Sequence, residues 1–191
     1  VIRKQGRKEF NEERRVKFTV EENPPELIFW DVVVSPAGKL VVGWSAGSQV
    51  YCSSYLKKRK IIEVISDWQI RWKKTKFIKG KFIGDLSKKS LVLVGSKFQH
   101  QVLKAVMAIP RGTVTSFGKL AESIGRSGAS RAIGTACTKN PLRFLVPCYR
   151  VLGSDGSLRD SASGPEVQRE LLELEGYSFE SRNARVKNKR G

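Results

Sequence analysis

The sequence predicts a mixed α/β (α+β) chain in two parts: an N-terminal β-meander plus helix, then a mainly helical C-terminal part containing a helix-turn-helix. Two patterns carry that expectation. Up to residue 55, short β-branched and aromatic runs alternate with turn residues, whereas after residue 96 apolar residues recur at helical spacing and stop at proline or glycine. With 191 residues, the chain is long enough to bury a core in each part.

The runs at 27–34 (LIFWDVVV) and 40–44 (LVVGW) flank Ser35-Pro36-Ala37-Gly38, which is hairpin chemistry, and 49–55 reads as a third strand. Ile61, Ile62, Ile65, Trp68 and Trp72 share one face of a helix. A lysine-rich stretch follows over 73–89 and runs into Leu91-Val92-Leu93-Val94, where the domain boundary is expected. In the second part, Ser96 and Gln99 fit a capping box ahead of the stripe Phe98, Val102, Val106 and Ile109, which Pro110 and Gly112 end. Ser116 caps a short helix that reaches Ile124, and Gly125 takes the left-handed position after it. A second short helix spans 128–138, up to Asn140-Pro141. Most of its residues are small and Arg131 is its only large polar one, which suits either tight helix packing or close approach to DNA. The expected domains are therefore a basic segment 1–22, an α/β domain 23–90, a C-terminal domain 91–178 and a basic tail 179–191.

Charge and cysteine usage narrow the function. There are 36 Lys+Arg against 18 Asp+Glu, a net charge of +18, and the excess is shared: +10 over 1–95 and +8 over 96–191. A folded chain this basic is the footprint of a polyanion partner, bound with release of counterions. No apolar run is long enough to span a membrane, so no membrane partner is expected. Three cysteines, Cys52, Cys137 and Cys148, make no disulfide framework and point to a reducing compartment. With one histidine, His100, they make no zinc site, and no metal ligand set is expected. Secreted, collagen-like and zinc-finger classes are excluded.

Cys148 stands between a proline and a run of Tyr149, Arg150 and Val151. Most cysteines in such apolar surroundings are inert. Here, however, Val146-Pro147-Cys148-Tyr149-Arg150-Val151 resembles the Pro-Cys-His-Arg-Val signature of the O6-alkylguanine-DNA alkyltransferases. The resemblance covers about 80 residues, from Phe98-Gln99 to Glu175-Gly176. It takes in Ile109-Pro110-Arg111-Gly112, Thr115-Ser116-Phe117-Gly118, Arg131-Ala132-Ile133-Gly134, Asn140-Pro141 and Leu171-Leu172, in order and without a gap.

That resemblance implies a winged-helix-like C-terminal domain and a suicide DNA-repair activity. The protein would grip duplex DNA in the minor groove, swing O6-alkylguanine out of the stack and take the alkyl group irreversibly on Cys148. Glu175 matches a buried carboxylate that orients the residue next to the cysteine, although the last turn of a helix is the unfavourable end for an anion. Asn140 matches the side chain that braces the turn before the active-site segment. Arg131 matches the residue that fills the vacated base stack, and Phe117 stands where the family has a tyrosine that presses on the target phosphate. Ser116, Gly118, Arg126 and Ser154 align with DNA-backbone-contacting or neighbouring positions. Val151 aligns with a carbonyl that receives the guanine amine, and Ser161 and Ala162 fall in the guanine-binding loop. No cofactor is implied, because the lesion is itself the alkyl donor. The protein is expected to be monomeric and intracellular: in the nucleus if eukaryotic, in the cytoplasm or nucleoid if prokaryotic.

Two departures bear on the chemistry. Tyr149 replaces the family histidine, and a phenol with a pKa of about 10 is no base near neutrality. Ser161 stands where the family loop has a tyrosine that assists the leaving guanine. Both suggest slower transfer than in a standard member, and they keep open a non-catalytic lesion-sensing protein of the alkyltransferase-like kind. The basic arms at either end would suit an architectural DNA-binding protein.

Overall fold

The computed structural model describes residues 17–35, 38–57, 59–159 and 164–179. The chain parts into two units. One runs to Ser96 and takes in Pro141–Leu145, and the other comprises Lys97–Asn140 and the chain from Val146 onward. The mixed α/β class predicted from the sequence is what the structure has.

In the first unit, strands β1 (Phe18–Glu21), β2 (Leu27–Ser35), β3 (Gly38–Trp44) and β4 (Val50–Tyr55) precede helix α1 (Ile61–Arg71). Strands β5 (Lys76–Lys79) and β6 (Leu91–Val94) complete a six-stranded sheet of order β1-β6-β4-β3-β2-β5. The expected meander is β2-β3-β4, antiparallel throughout, with Gly38 at φ +117° closing the first hairpin. Helix α1 is held at its start by Glu63, whose carboxylate accepts from the Lys60 N–H at 3.0 Å. Val64 and Trp68 of α1, with Trp72 just beyond it, pack with Ile28, Val41, Cys52 and Val92 in one apolar cluster. Glycine is required at position 43. A Cβ there would come within 2.9 Å of Ile28 Cγ2 and closer still to Cys52 Sγ. Truncating a tryptophan in such a cluster costs about 3–5 kcal/mol.

Three features depart from the sequence reading. Residues 18–21, assigned to a basic terminal segment, form a strand parallel to β6. β5, to which the sequence reading assigned no strand, pairs in parallel with β2 inside the lysine-rich stretch. β6, placed at the start of the second domain, lies within the first unit's sheet, so that unit extends to Ser96. Parallel pairings join segments far apart in the chain, and nothing local marks them. Pro141–Leu145 also belongs to this unit: the Ser53 N–H donates to the Pro141 carbonyl at 2.8 Å and the Ser53 hydroxyl to the Arg143 carbonyl at 2.7 Å.

The second unit contains α2 (Lys97–Met107), α3 (Phe117–Ser123), α4 (Ser130–Thr138) and α5 (Pro165–Glu173). A two-stranded parallel sheet joins β7 (Thr115–Ser116) to β8 (Val151–Leu152). Ser116 caps α3 by accepting from the Lys119 N–H at 3.2 Å, and Gly125 follows at φ +68°, both as the sequence predicts. Gly128, at φ +84°, turns the chain into α4. The small residues of α4 serve two purposes. Ile133, Ala136 and Cys137 are buried, whereas Arg131, Ala132 and Thr135 are exposed. Among the described residues, no helix is long and apolar enough to cross a membrane.

Candidate active site

Cys148 opens a single 3-10 turn, Cys148–Arg150, set between Pro147 and β8. Pro147 donates no N–H and fixes φ, so the chain enters the turn with little freedom. The Cys148 N–H donates to the Val146 carbonyl at 2.8 Å, and the residue is part-exposed, unlike Cys52 and Cys137, which are buried. Asn140 is 1% exposed. Its Nδ2 donates to the Val146 carbonyl at 3.3 Å and to Cys148 Sγ at 3.4 Å. Asparagine here does more than end a helix before proline. It clamps the segment leading to the sulfur and places an N–H donor on the sulfur itself.

The other half of the turn faces away from solvent. Tyr149 is buried, and its hydroxyl donates to Glu175 Oε1 at 2.8 Å. Arg150 Nε lies 3.1 Å from both carboxylate oxygens, and Nη2 lies 2.7 Å from Oε1. Nη1 donates to the Ile109 carbonyl at 2.7 Å. The Gly112 N–H completes the carboxylate's shell at 3.1 Å from Oε2. The side chains of Arg150 and Glu175 are 10% and 3% exposed, which makes this a buried, fully hydrogen-bonded ion pair. Burial, reinforced by the Glu175 charge, pushes the Tyr149 phenol well above its ordinary range. Burial works against the Arg150 cation, but the hydrogen bonds and charge of Glu175 outweigh it and raise its pKa.

Glu175 therefore sits differently from the sequence expectation. Helix α5 ends at Glu173, and Glu175 lies past it, with its N–H on the Leu172 carbonyl. The adverse helix dipole is overridden by a guanidinium in direct contact. The structure brings Cys148, Asn140, Tyr149 and Glu175 into one connected neighbourhood. Val151 is buried in β8, and its carbonyl accepts from Gln168 Nε2 at 3.2 Å, which leaves one lone pair of that oxygen unused by this bond. Ser116 and Phe117 stand at the start of α3 with Gly118 next in its first turn, Arg126 is exposed in the turn before α4, and Arg131 is exposed in α4's first turn. Ser154 is exposed in the turn after β8. Ser161 and Ala162 lie outside the described residues.

Sequence reasoning assigned no role to Arg150 or Gln168. Gln168 is fully buried on α5, and its Nε2 donates to the Tyr149 carbonyl at 3.0 Å as well as to Val151, so it ties both ends of the reactive turn. Its signal was legible: a polar residue within the apolar stripe of Val167, Leu171 and Leu172. The partner of Arg150, 25 positions away, was not. Among the described residues, no group of three or more His, Cys, Asp or Glu side chains could hold a metal ion.

Known proteins resemble this chain in sequence and in fold. Residues 97–177 match the DNA-binding domain of 6-O-methylguanine DNA methyltransferase. A methylated-DNA–protein-cysteine methyltransferase of Methanosarcina barkeri is 36% identical over 155 residues, 78% of this chain and 97% of that protein. The O6-methylguanine methyltransferase of Mycobacterium tuberculosis superposes with a TM-score of 0.62 at 31% identity, covering 78% of this chain and 92% of that one. A crystal structure of the M. tuberculosis protein in complex with DNA gives 0.60 at 29% identity, covering 77% and 92%. On this likeness, which runs through both units, the chain belongs to the methylated-DNA–protein-cysteine methyltransferase family.

Proposed function

We infer that this protein repairs DNA by flipping O6-alkylguanine, above all O6-methylguanine, out of the duplex and transferring the alkyl group to Cys148 in a single irreversible turnover. The observation that carries this reading is the part-exposed Cys148 sulfur held against Asn140 in a rigid turn. The Cys148 thiolate attacks the alkyl carbon in line with the C–O6 bond. A sulfur–carbon bond forms as the carbon–oxygen bond breaks, the electron pair leaves with the guanine, and the guanine takes up a proton. The product is a thioether with no route back to thiol, so each molecule acts once.

In this reading, α3 and α4 enter the minor groove as one monomer. Arg131, exposed on the outward face of α4, occupies the gap left by the flipped base. Phe117 presses on the target phosphate, while Ser116, Gly118, Arg126 and Ser154 meet the DNA backbone nearby. The Val151 carbonyl receives the guanine amine, and Ser161 and Ala162 close over the base. Asn140 steadies the thiolate, and Glu175 holds Tyr149 and, through it, the turn. The phenol of Tyr149 is committed to Glu175 and resists ionisation. It positions rather than removes protons, so thiolate forms by ordinary ionisation of the sulfur.

A second reading has one observation in its favour. Tyr149, locked to Glu175 and resistant to ionisation, does not act as a general base, as would suit a lesion sensor that binds without reacting. Intact-mass spectrometry after incubation with an O6-methylguanine duplex separates the two. Transfer gives one added methyl group per chain, absent in Cys148→Ala although that variant still binds DNA. Binding by the wild type with no gain in mass would replace the repair reading with the sensor.

A further inference from the structure

We propose that the first unit carries a DNA-contacting surface of its own, centred on Lys76, Lys81 and Lys89 beside the Phe29–Trp44–Phe82 aromatic cluster. It rests on DNA being the partner but not on the cysteine chemistry. Between positions 73 and 89 there are seven lysines and a single acid, Asp85. The carboxylate of Asp85 is engaged locally, accepting from the Ser87 N–H at 2.7 Å and from the Ser87 hydroxyl. Lys76 and Lys81 are exposed, and Lys89 is part-exposed.

The fold gathers these residues on one face. In β5, side chains alternate: Phe77 turns to Trp68 and Trp72 in the core, so Lys76 and Ile78 turn to the opposite face. Ile78 is in register with Phe29 on β2. Phe29 meets Trp44 at 6.3 Å between ring centroids, and Trp44 meets Phe82 edge-on at 5.1 Å. Phe82 is fixed by its N–H on Asp31 Oδ2 at 3.0 Å, and Lys89 Nζ lies 5.7 Å above its ring. The result is a half-exposed aromatic floor with the Lys89 ammonium over it, Lys76 on the same face of β5, exposed Lys81 next to Phe82 in the chain, and a strand edge beside it.

Charge complementarity selects the occupant. Seven lysines against the carboxylates of Asp31 and Asp85, both engaged by hydrogen bonds, leave an excess of like charge that a polyanion relieves. Lysines act as point charges that suit phosphates. Because Lys89 covers the Phe82 face, that ring is not free for base stacking, and the contact is to the backbone of duplex DNA, independent of sequence. Lysines on an edge strand also discourage strand addition, a role that needs no DNA.

The test measures duplex affinity against salt for the full-length chain carrying Lys76→Gln, Lys81→Gln and Lys89→Gln together. A control of equal charge carries Lys17→Gln, Lys39→Gln and Lys97→Gln. Loss of three phosphate contacts lowers the slope of log K against log salt by about one per lysine. The control changes it by much less. Equal slopes in the two variants overturn the proposal, as does an unchanged slope accompanied by self-association, which assigns the lysines to edge protection. Methyl transfer to Cys148 is read separately by mass. A wild type that binds DNA without gaining mass defeats the repair reading while leaving this surface standing.

Discussion

Cys148 and Tyr149 are neighbours in the chain and opposites in environment. Cys148 is part-exposed and its sulfur accepts a soft hydrogen bond from Asn140, whereas the phenol is buried and tied to a carboxylate that Arg150 and the Gly112 N–H also hold. A single 3-10 turn makes the difference, because successive side chains of so tight a turn point in different directions. The site thus separates a part-exposed half, with the cysteine, from a buried half that holds the turn's shape. In a family whose signature has histidine after the cysteine, the tyrosine at position 149 of this chain belongs to the second half.

The largest expected effect breaks the structural half. Glu175→Gln leaves Arg150 buried with its charge unpaired, and the loss of stability is about 3–5 kcal/mol, measured by urea unfolding. A loss below about 1 kcal/mol would mean that solvent reaches the pair and that the turn is held by other contacts.

A smaller effect would rejoin the two halves. The wild-type rate of transfer follows the thiolate fraction and climbs between pH 6 and 8. Tyr149→His introduces a base beside the sulfur, so transfer at pH 7 speeds up by about 10²-fold, the lower end of general-base contributions, and the pH profile flattens. Single-turnover kinetics across that range check both. Identical profiles for the two proteins would show that position 149 takes no part in ionising Cys148.

The smallest effect is seen in alkali. Tyr149 is raised by burial and by the Glu175 charge, and Tyr51 is pushed up to about 12 by burial and its hydrogen bond to Glu21. Each phenol holds its proton more tightly folded than unfolded. Their contribution to stability is therefore complete below pH about 10, where unfolded tyrosine ionises, and is lost as pH rises towards the folded values. Tyr149→Phe lacks its share, so its stability deficit against wild type shrinks between pH 9 and 11. A constant deficit would mean that the phenol is solvated in the native state.

These contrasts explain what could be read without coordinates. The cap at Ser116, the left-handed Gly125 and the two short helices are local: each depends on residues three or four apart, which the sequence displays. Cys148 was legible through its immediate neighbours. The edge strands β1 and β5 were not, since four exposed or half-buried residues pair only with partners brought from elsewhere. Nor was the role of Arg150, whose partner is set by the path of α5 past the reactive turn. Gln168 announced itself as a misplaced polar residue, but only the fold names the two carbonyls it serves.

By itself, then, the sequence determined the two-part α/β plan, the helix-turn-helix, the basic surface and the cysteine, because periodicity, turn chemistry and net charge are properties of neighbouring residues and of composition. Tertiary structure alone decided which charges are neutralised and which stay open. Glu175 meets Arg150 in a closed pair, while the lysines of the first unit face solvent around an aromatic floor. Whether a charge is cancelled or left exposed depends on distance and burial in space, and separation along the chain encodes neither.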